Sequence, residues 1–348
     1  MNVLNQLIDK NQKFAMYQGD CVETLRGIPD NSIHYSLFSP PFASLYTYSN
    51  SERDMGNAGG DEEFQEHFGY LINELYRIIM PGRLVSVHCM NLPAMKSRDG
   101  FIGVKDFRGD VIRWMQNSGF IFHSEVCIWK NPVTEMQRTK ALGLLHKQIR
   151  KDSSMCRQGL PDYIVTFRKP GENPEYISHD HESFPVSVWQ RYASPVWMDI
   201  RQSNTLQRTS ARDEKDEKHV CPLQLGVIER CIDLWTNPGD IVLDPFAGIG
   251  SVPYQAVLMG RRGIGVELKD SYYIQAAKNL ENAENKVDEF GVDTNVRMRC
   301  PKCGAKVEED ICPVCGSKID DLYKTISDES SSTFGDESDD EDLEEDIE

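Results

Sequence analysis

Residues 243–251, Leu-Asp-Pro-Phe-Ala-Gly-Ile-Gly-Ser, have the residue types of a loop that binds a nucleotide-like cofactor. Asp244 ends an apolar run, and Gly248 and Gly250 stand where a backbone turns tightly and lies close to a ligand. The N-terminus of the helix expected to follow favours a negatively charged group. Glu267 ends the next apolar run, where a carboxylate can accept hydrogen bonds from two ribose hydroxyls. The pattern predicts a site for an adenosine-type cofactor.

Four cysteines near the end of the chain form a second pattern with chemical meaning. Two Cys-x-x-Cys-Gly knuckles contribute Cys300, Cys303, Cys312 and Cys315. Four thiolates at this spacing are typical of a closed tetrahedral Zn²⁺ site. Paired disulfides are the less favoured alternative, because the chain shows no export signal. We predict a structural zinc ribbon over residues 297–320.

Hydrophobic periodicity predicts the elements that must position these residues. Short apolar runs alternate with segments of helical spacing, which favours an α/β fold with a largely parallel sheet. The predicted strands are 32–38, 84–90, 120–129, 162–167, 241–244 and 263–268, and the predicted helices are 64–79, 106–118, 228–235, 252–259 and 271–285. Pro81 and Gly82 are expected to end the first helix. His34 and His88 fall among apolar neighbours in strands and are expected to be core or edge residues.

The glycine loop, together with a Pro-Pro segment some 200 residues earlier, resembles the N4-cytosine/N6-adenine DNA methyltransferase family. Residues 244–251 are similar to the S-adenosylmethionine loop of that family, and Glu267 is similar to its ribose-binding acid. The resemblance implies S-adenosylmethionine as cofactor, bound by Asp20, Asp244, Pro245, Phe246, Gly248, Gly250, Ser251 and Glu267. Asp20 would lie beside the cofactor adenine, and a turn carboxylate is an equally good interpretation of it.

The Pro-Pro segment, Ser39-Pro40-Pro41-Phe42, resembles the catalytic loop of the same family, (Asp/Asn/Ser)-Pro-Pro-(Tyr/Phe). In that role the Ser39 oxygen and the Pro40 carbonyl accept the two hydrogens of an exocyclic base amine, whose lone pair is otherwise delocalised into the ring. The two prolines hold this geometry in advance, and Phe42 stacks on a flipped-out base. For the tetrapeptide alone, a strand-ending turn is the alternative. Ser39, where Asp is also allowed, favours cytosine N4 over adenine N6.

The order of the two loops implies the organisation of the whole chain. The catalytic loop precedes the cofactor loop, which implies a Rossmann-like S-adenosylmethionine-dependent methyltransferase sheet in circularly permuted order. The predicted regions are a catalytic half at 1–130, a target-recognition insert at 131–220, a cofactor-binding half at 221–290, the zinc ribbon at 297–320 and a disordered acidic tail at 327–348. The tail is too polar to fold by burial.

The charge distribution is compatible with a nucleic-acid partner, although the formal net charge is −17. Residues 327–348 carry twelve Asp or Glu and no Lys or Arg, which leaves −5 for the other 326 residues. Phosphate contacts are expected from the basic residues of the insert, Arg138, Lys140, Lys147, Arg150, Lys151 and Arg157. We therefore expect double-stranded DNA as partner, and we expect Trp189, Tyr192 and Trp197 to pack the insert or touch bases.

The remaining expectations concern location and partners. The chain has no apolar run of membrane-spanning length and its first residues do not resemble a signal peptide, so we expect no membrane contact and a cytoplasmic location, in a prokaryotic cell or a virus-infected host. A cognate restriction nuclease is a candidate partner, and the oligomeric state stays open.

Several other functions compete with cytosine-N4 methylation of DNA, and adenine-N6 methylation is the first of them. Methylation of cytosine C5 is disfavoured, because it needs a thiolate presented in a Pro-Cys pair and the chain contains none. RNA or a protein glutamine amide is another substrate class, but in those relatives the cofactor loop comes first. A zinc-dependent DNA-binding protein with a degenerate methyltransferase body is the non-enzymatic alternative. The intact Ser39, Gly248, Gly250 and Glu267 argue against it.

Overall fold

The computed structural model describes most of the first 290 residues. The described ranges are 3–41, 55–57, 60–94, 96–139, 146–150, 152–179, 184–206 and 222–290. The chain divides into two compact units, Met1–Thr294 and Asn295–Glu348, and the second lies wholly outside these ranges. The predicted zinc ribbon and acidic tail belong to that second unit. Within the described ranges, no helix is both long and apolar enough to cross a membrane.

A nine-stranded sheet forms the centre of the first unit. The strands are β1 Asn5–Ile8, β2 Phe14–Gln18, β3 Ile33–Phe38, β4 Ile79–Met90, β5 Leu92–Ala94, β6 Gly103–Lys105, β7 Ile121–Ile128, β8 Asp162–Arg168, β9 Val196–Trp197, β10 Ile241–Asp244 and β11 Arg262–Glu267. β5 and β6 pair with each other, and the others follow the order β1-β2-β11-β10-β3-β4-β8-β7-β9. The five strands from β2 to β4 in this order run parallel, which confirms the predicted α/β class for this part of the sheet.

The helices connect the strands and cover the sheet. They are α1 Cys21–Leu25, α2 Asp61–Ile78, α3 Lys96–Asp99, α4 Phe107–Asn117, α5 Pro132–Thr139, α6 His146–Ile149, α7 Val186–Tyr192, α8 Leu225–Trp235, α9 Ser251–Leu258 and α10 Asp270–Phe290. The apolar stripe of α2 is fully buried, with Phe64 stacked on Phe68 and Trp114 of α4 edge-on to Phe68. Each such side chain contributes about 1.5–3 kcal/mol by leaving water.

The prediction that Pro81 and Gly82 end the first helix is wrong. Helix α2 ends at Ile78, and both residues lie inside β4. The reason is tertiary: the amide of Ser32 donates to the carbonyl of Ile78 at 2.8 Å, and strand pairing with β3 already begins at the next residue. Pairing with a neighbouring strand therefore ends the helix before the local turn signal is reached.

The range 131–220 is not an insert throughout. Its one predicted strand, β8, lies inside the sheet and pairs antiparallel with both β4 and β7. Most of its residues are buried, because neighbouring strands flank it on both sides. β9 also belongs to the sheet, at its edge beside β7, so only the other segments around β8 can act as an insert, and their role in target recognition stays a prediction.

Candidate active site

The topology brings the two predicted loops to the same edge of the sheet. β10 pairs directly with β3, with Val242 opposite Tyr35 and Leu243 opposite Ser36. Because the two strands are parallel, the glycine loop that follows β10 and the Ser-Pro-Pro segment that follows β3 leave the sheet side by side. This is the edge at which open α/β sheets bind ligands. We call it the carboxyl edge, and the opposite end of the five parallel strands the amino edge.

The glycine loop contains two glycines in the left-handed backbone conformation, and the two have different roles. Gly248 has φ +55° and Gly250 has φ +83°, a region that L side chains rarely adopt. A Cβ at Gly250 would lie 3.2 Å from the Cβ of Ala276, so this glycine allows α10 to pack closely. A Cβ at Gly248 would meet no atom within 4 Å. The space beside Gly248 is thus open to a ligand, as a cofactor loop requires.

Other contacts hold this loop in place. The Asn279 side chain on α10 donates to the carbonyl of Ile249 at 2.8 Å. Pro245 is buried, and the half-buried ring of Phe246 lies 5.8 Å from that of Phe38. Ser251 is buried as the first residue of α9. The protein's own contacts therefore hold the loop in its conformation. The sequence reasoning missed Asn279, because nothing local distinguishes it from other polar helix residues.

Two carboxylates flank the loop, and they differ in environment. Glu267, at the end of β11, accepts from the amides of Gly248 at 2.8 Å and Lys269 at 2.9 Å, one on each oxygen. Each oxygen has a second lone pair, so the carboxylate can also accept from ribose hydroxyls. Burial raises the pKa of Asp244 to about 8, although the Phe246 amide that donates to it at 2.9 Å opposes the shift.

Asp20 follows β2, which pairs with β11, so this carboxylate lies at the same edge. Its Oδ1 accepts from the amide of Glu23 at 2.9 Å and caps α1. The turn-carboxylate interpretation therefore holds for Asp20, and contact with a cofactor adenine stays a prediction. At the entry of α8, the side-chain oxygen of Gln224 is buried with no hydrogen-bond partner among the described residues. That orphaned acceptor, 20 residues before Asp244 in the chain, fits a ligand group that donates.

The Ser-Pro-Pro segment is described up to Pro41, and Phe42 lies outside the described residues. Pro40 and Pro41 are buried, and Ser39 is half-buried. The Ser39 Oγ lies 2.8 Å from Nδ1 of His88 on β4. The serine predicted to bind an amine is therefore hydrogen-bonded to an imidazole from the neighbouring strand.

Two charged residues that the sequence did not single out, Asp162 and Lys130, lie on the side of His88 away from Ser39. Nε2 of His88 lies 3.3 Å from Oδ2 of Asp162, the first residue of β8, and the other oxygen of Asp162 accepts from Lys130. We call Ser39, His88, Lys130 and Asp162 the carboxyl-edge cluster. The expectation that His88 is only a core or edge residue missed this contact, which depends on the register of three strands. A His and an Asp far apart in sequence gave no local signal.

A second histidine cluster lies at the amino edge. His34 Nε2 is 3.7 Å from Asp240 and 3.4 Å from Glu175, and the fully buried Arg83 is 3.0 Å from Asp240. We call these four residues the amino-edge cluster. The two carboxylates and the histidine have the spacing of cation ligands. The Arg83 guanidinium lies between the two carboxylates, 3.0 Å from Asp240 and 3.7 Å from Glu175, so we assign the cluster to structural ion pairing.

The insert contributes mainly packing where it is described. Tyr192 and Trp197 are buried, and both stack on Arg230 at 5.1 Å, whereas Trp189 on α7 is 55% exposed. Arg157, expected to contact phosphate, lies 3.7 Å from the buried Glu135. Of the other basic residues, Arg150 is exposed. Lys140, Lys151 and the four zinc-ligand candidates Cys300, Cys303, Cys312 and Cys315 lie outside the described residues, as do the side chains of Arg138 and Lys147.

Comparison with known proteins agrees with this arrangement. Residues 33–278 match the family model described as DNA methylase, of the N6/N4 class. The Type II methyltransferase M.BamHI of Bacillus amyloliquefaciens is 24% identical over 276 residues, which are 78% of this chain and 58% of that protein. The chain thus spans little more than half the length of that relative. The DNA adenine methyltransferase YhdJ of Escherichia coli K12 is 22% identical over 79% of this chain and 85% of that protein.

Among solved structures, the cytosine-N4-specific PvuII DNA methyltransferase has the same fold. The match has a TM-score of 0.55 and 18% identity, and it covers 79% of this chain and 92% of that one. At this identity the likeness concerns the fold alone.

Proposed function

The chain belongs to the N6/N4 DNA methylase family, and we propose that it transfers a methyl group from S-adenosylmethionine to the exocyclic N4 amine of cytosine in double-stranded DNA. One observation carries the proposal. The parallel pairing of β10 with β3 sets an open glycine loop beside a Ser-Pro-Pro segment whose serine and carbonyl can accept an amine's hydrogens. A methyl donor on the first loop and a base amine on the second would be neighbours.

The residues that would hold the cofactor fit its chemistry. Glu267 would accept from the ribose hydroxyls, and the open space beside Gly248 would admit the ligand close to the backbone. When bound, S-adenosylmethionine supplies the methyl group as a sulfonium. Asp244 is buried and holds the loop through the Phe246 amide, so its contribution is to the loop's shape. Contacts from Asp20, Pro245, Phe246, Gly250 and Ser251 to the cofactor are part of the proposal.

At the amine, the chain's contribution is orientation. The Ser39 oxygen and the Pro40 carbonyl would each accept one amino hydrogen, which turns the nitrogen lone pair out of the ring plane and toward the methyl donor. The buried Pro40-Pro41 pair restricts the backbone, so the two acceptors are already in place when the base arrives. Pro41 would hold the carbonyl of Pro40, and Phe42 would stack on the flipped base.

The choice of cytosine rests on the serine at position 39. The alternative is adenine N6, which has support of its own, because the family includes both classes and the relative YhdJ is a DNA adenine methyltransferase. The shape of the sheet and the cofactor loop serve either base equally. The base itself therefore has to be identified chemically.

The deciding experiment is to incubate the full-length protein and S-adenosylmethionine with unmethylated genomic DNA, digest the DNA and identify the modified nucleoside by mass spectrometry. N4-methylcytosine is the expected product, and the Ser39→Ala variant should give almost none. N6-methyladenine would overturn the choice of base. Label found only in RNA or protein would overturn the DNA substrate. Cofactor binding without transfer to any DNA would favour the non-enzymatic alternative.

The remaining parts of the proposal come from the sequence and from the Type II relative. They are the circularly permuted order, target recognition by the segments around β8, the acidic tail, a cytoplasmic location and a cognate restriction nuclease. Of the three aromatics expected to pack the insert or touch bases, Trp189 is the exposed one. For the ribbon, one Zn²⁺ per chain is expected by elemental analysis, and Cys300→Ser should lower that content.

A further inference from the structure

A line of polar side chains runs back from Ser39 into the sheet. Ser39 Oγ is 2.8 Å from His88 Nδ1, and His88 Nε2 is 3.3 Å from Asp162 Oδ2. On the basis of the proposed function, we infer that His88 and Asp162 are positioning residues that orient the Ser39 hydroxyl and take up, through it, the proton released by the methylated amine. Neither residue touches the base itself.

The register of the sheet explains why these residues meet. Phe38 pairs with Val87, so the next residues along the two parallel strands, Ser39 and His88, are neighbours at the carboxyl edge. β8 is antiparallel to β4, with Met90 opposite Asp162. His88 lies two residues before Met90 and thus on the same face as this pair. Strand pairing therefore builds the line with no contribution from loops beyond Ser39.

The charge of Asp162 decides which nitrogen of His88 carries the proton. Burial raises the pKa of Asp162, but His88 and Lys130 outweigh burial, and the pKa lies below its usual value. An ionised carboxylate facing Nε2 favours the tautomer with the proton on that nitrogen, because a carboxylate can only accept. Nδ1 is then left with a lone pair toward Ser39.

That lone pair sets the direction of the Ser39 hydroxyl. The O–H donates to Nδ1, so both lone pairs of the oxygen are free to face an amine hydrogen. Without an acceptor behind it, the hydroxyl would rotate and its own proton could point at the substrate. The arrangement thus supplies the preorganisation that a serine, unlike an aspartate, does not have by itself.

Ser39, His88 and Asp162 also account for the proton that the methylated amine releases. Transfer forms the N–CH₃ bond and breaks the S–CH₃ bond, whose electron pair stays on sulfur, so the amine nitrogen becomes positive with one proton too many. That proton passes to the Ser39 oxygen as the serine's own proton passes to Nδ1. The resulting imidazolium is stabilised by the facing Asp162, and the proton leaves to solvent when the product departs.

The histidine of the amino-edge cluster shows that this arrangement is specific. His34 also faces a carboxylate, but its Nδ1 accepts from the backbone amide of Ile241 at 3.1 Å. It therefore presents no lone pair to any hydroxyl. His34 makes a matched control, since it is a partly buried strand histidine with a carboxylate on Nε2 and no link to the substrate edge.

The test is a double-mutant cycle on methyl transfer to DNA. His88→Asn keeps a hydrogen-bonding group near the position of Nδ1 but cannot take up a proton, and kcat is expected to fall by about 10²-fold, with cofactor Kd and KM for DNA within about twofold of wild type. In the Ser39→Ala background the same change should lower kcat by less than about twofold, because His88 acts only through Ser39. His34→Asn should leave kcat unchanged.

Asp162→Asn is the second variant, because a carboxamide no longer enforces the tautomer, and it should lower kcat at least about tenfold. Among the described residues, Asp162 lies beside His88, and Lys130 contacts the same carboxylate.

Each outcome separates the two proposals. A wild-type kcat in both His88→Asn and Asp162→Asn would overturn the relay while leaving methyl transfer intact. An equal loss of kcat with and without Ser39 would mark His88 as structural only. A wild-type protein that methylates no DNA would overturn the proposed function itself.

Discussion

The two edges of the parallel strands carry similar residues and use them differently. Each has a histidine beside a carboxylate and a cation: His34 with Asp240 and Arg83 at the amino edge, and His88 with Asp162 and Lys130 at the carboxyl edge. At the amino edge the cation is a fully buried guanidinium and the second ring nitrogen is taken by a backbone amide. At the carboxyl edge that nitrogen faces a serine hydroxyl.

The two clusters show that the same residue types do not by themselves form a reactive site. In the amino-edge cluster Arg83 pairs with both carboxylates and Nδ1 of His34 accepts from a backbone amide, so these contacts stabilise the fold. In the carboxyl-edge cluster the line of contacts ends in a half-buried hydroxyl beside an open loop. We expect mutations at the amino edge to change stability and mutations at the carboxyl edge to change catalysis or cofactor affinity.

The largest effect is expected from Asp240→Ala at the amino edge. Removing this carboxylate leaves Arg83 buried without its nearest counter-charge, which should lower the free energy of unfolding by about 3–5 kcal/mol in urea titrations. Asp110→Ala is the control, since Asp110 makes an exposed ion pair with Arg113 and should change stability by less than about 1 kcal/mol. Equal losses in the two variants would contradict the structural role of the amino edge.

The next effect is expected from Ser39→Ala at the carboxyl edge. Loss of one preorganised acceptor should lower kcat by about 10²-fold while Tm stays within about 2 °C of wild type. Ser36→Ala, three residues earlier in β3, removes a buried hydrogen bond of 3.0 Å to the Leu243 carbonyl. It should lower stability by about 1 kcal/mol with little change in kcat. A loss of stability in Ser39→Ala together with a loss of kcat in Ser36→Ala would refute the assigned roles of these two serines.

A smaller effect is expected from Glu267→Gln. An amide accepts more weakly than a carboxylate and has only one accepting atom, so the Kd for S-adenosylmethionine should rise about tenfold by calorimetry. Glu66→Gln on the outer face of α2, where the carboxylate accepts from Tyr70 at 2.7 Å, should leave that Kd unchanged. An unchanged Kd in Glu267→Gln would remove this residue from the cofactor site.

The last expected effect is a pH dependence of the protein's stability, caused by the titration of Asp244. Its folded pKa is raised to about 8 by burial, above the unfolded value, so between these values the folded state binds more protons. Stability of the ligand-free protein should therefore fall as pH rises from about 4 toward 8. Asp244→Asn keeps an acceptor for the Phe246 amide and should remove this fall, so its Tm at pH 8 should exceed that of the wild-type protein. Parallel Tm–pH curves for the two proteins would show that Asp244 ionises freely.

The sequence determined much of the fold and the position of both loops. Periodicity predicted α2, α4, α8, α9, α10 and most strands, since an amphipathic pattern reports burial directly. It failed at the end of α2, where pairing with β3 overrode the Pro81-Gly82 signal, and in β8, whose place inside the sheet depends on long-range pairing. Gly248, Gly250 and Glu267 could be chosen in advance because their roles depend on backbone conformation and short spacing.

The residues that lie next to Ser39 in the sheet could be identified from the tertiary structure alone. His88 and Asp162 are 74 residues apart in the chain, and each has an ordinary strand environment in sequence. Their proximity to Ser39 depends on the register of β3, β4 and β8, in which a shift by one residue would turn each side chain to the opposite face. Local residue types therefore predict a cofactor loop and an amine-binding loop, and strand pairing decides that a histidine and an aspartate lie next to the serine.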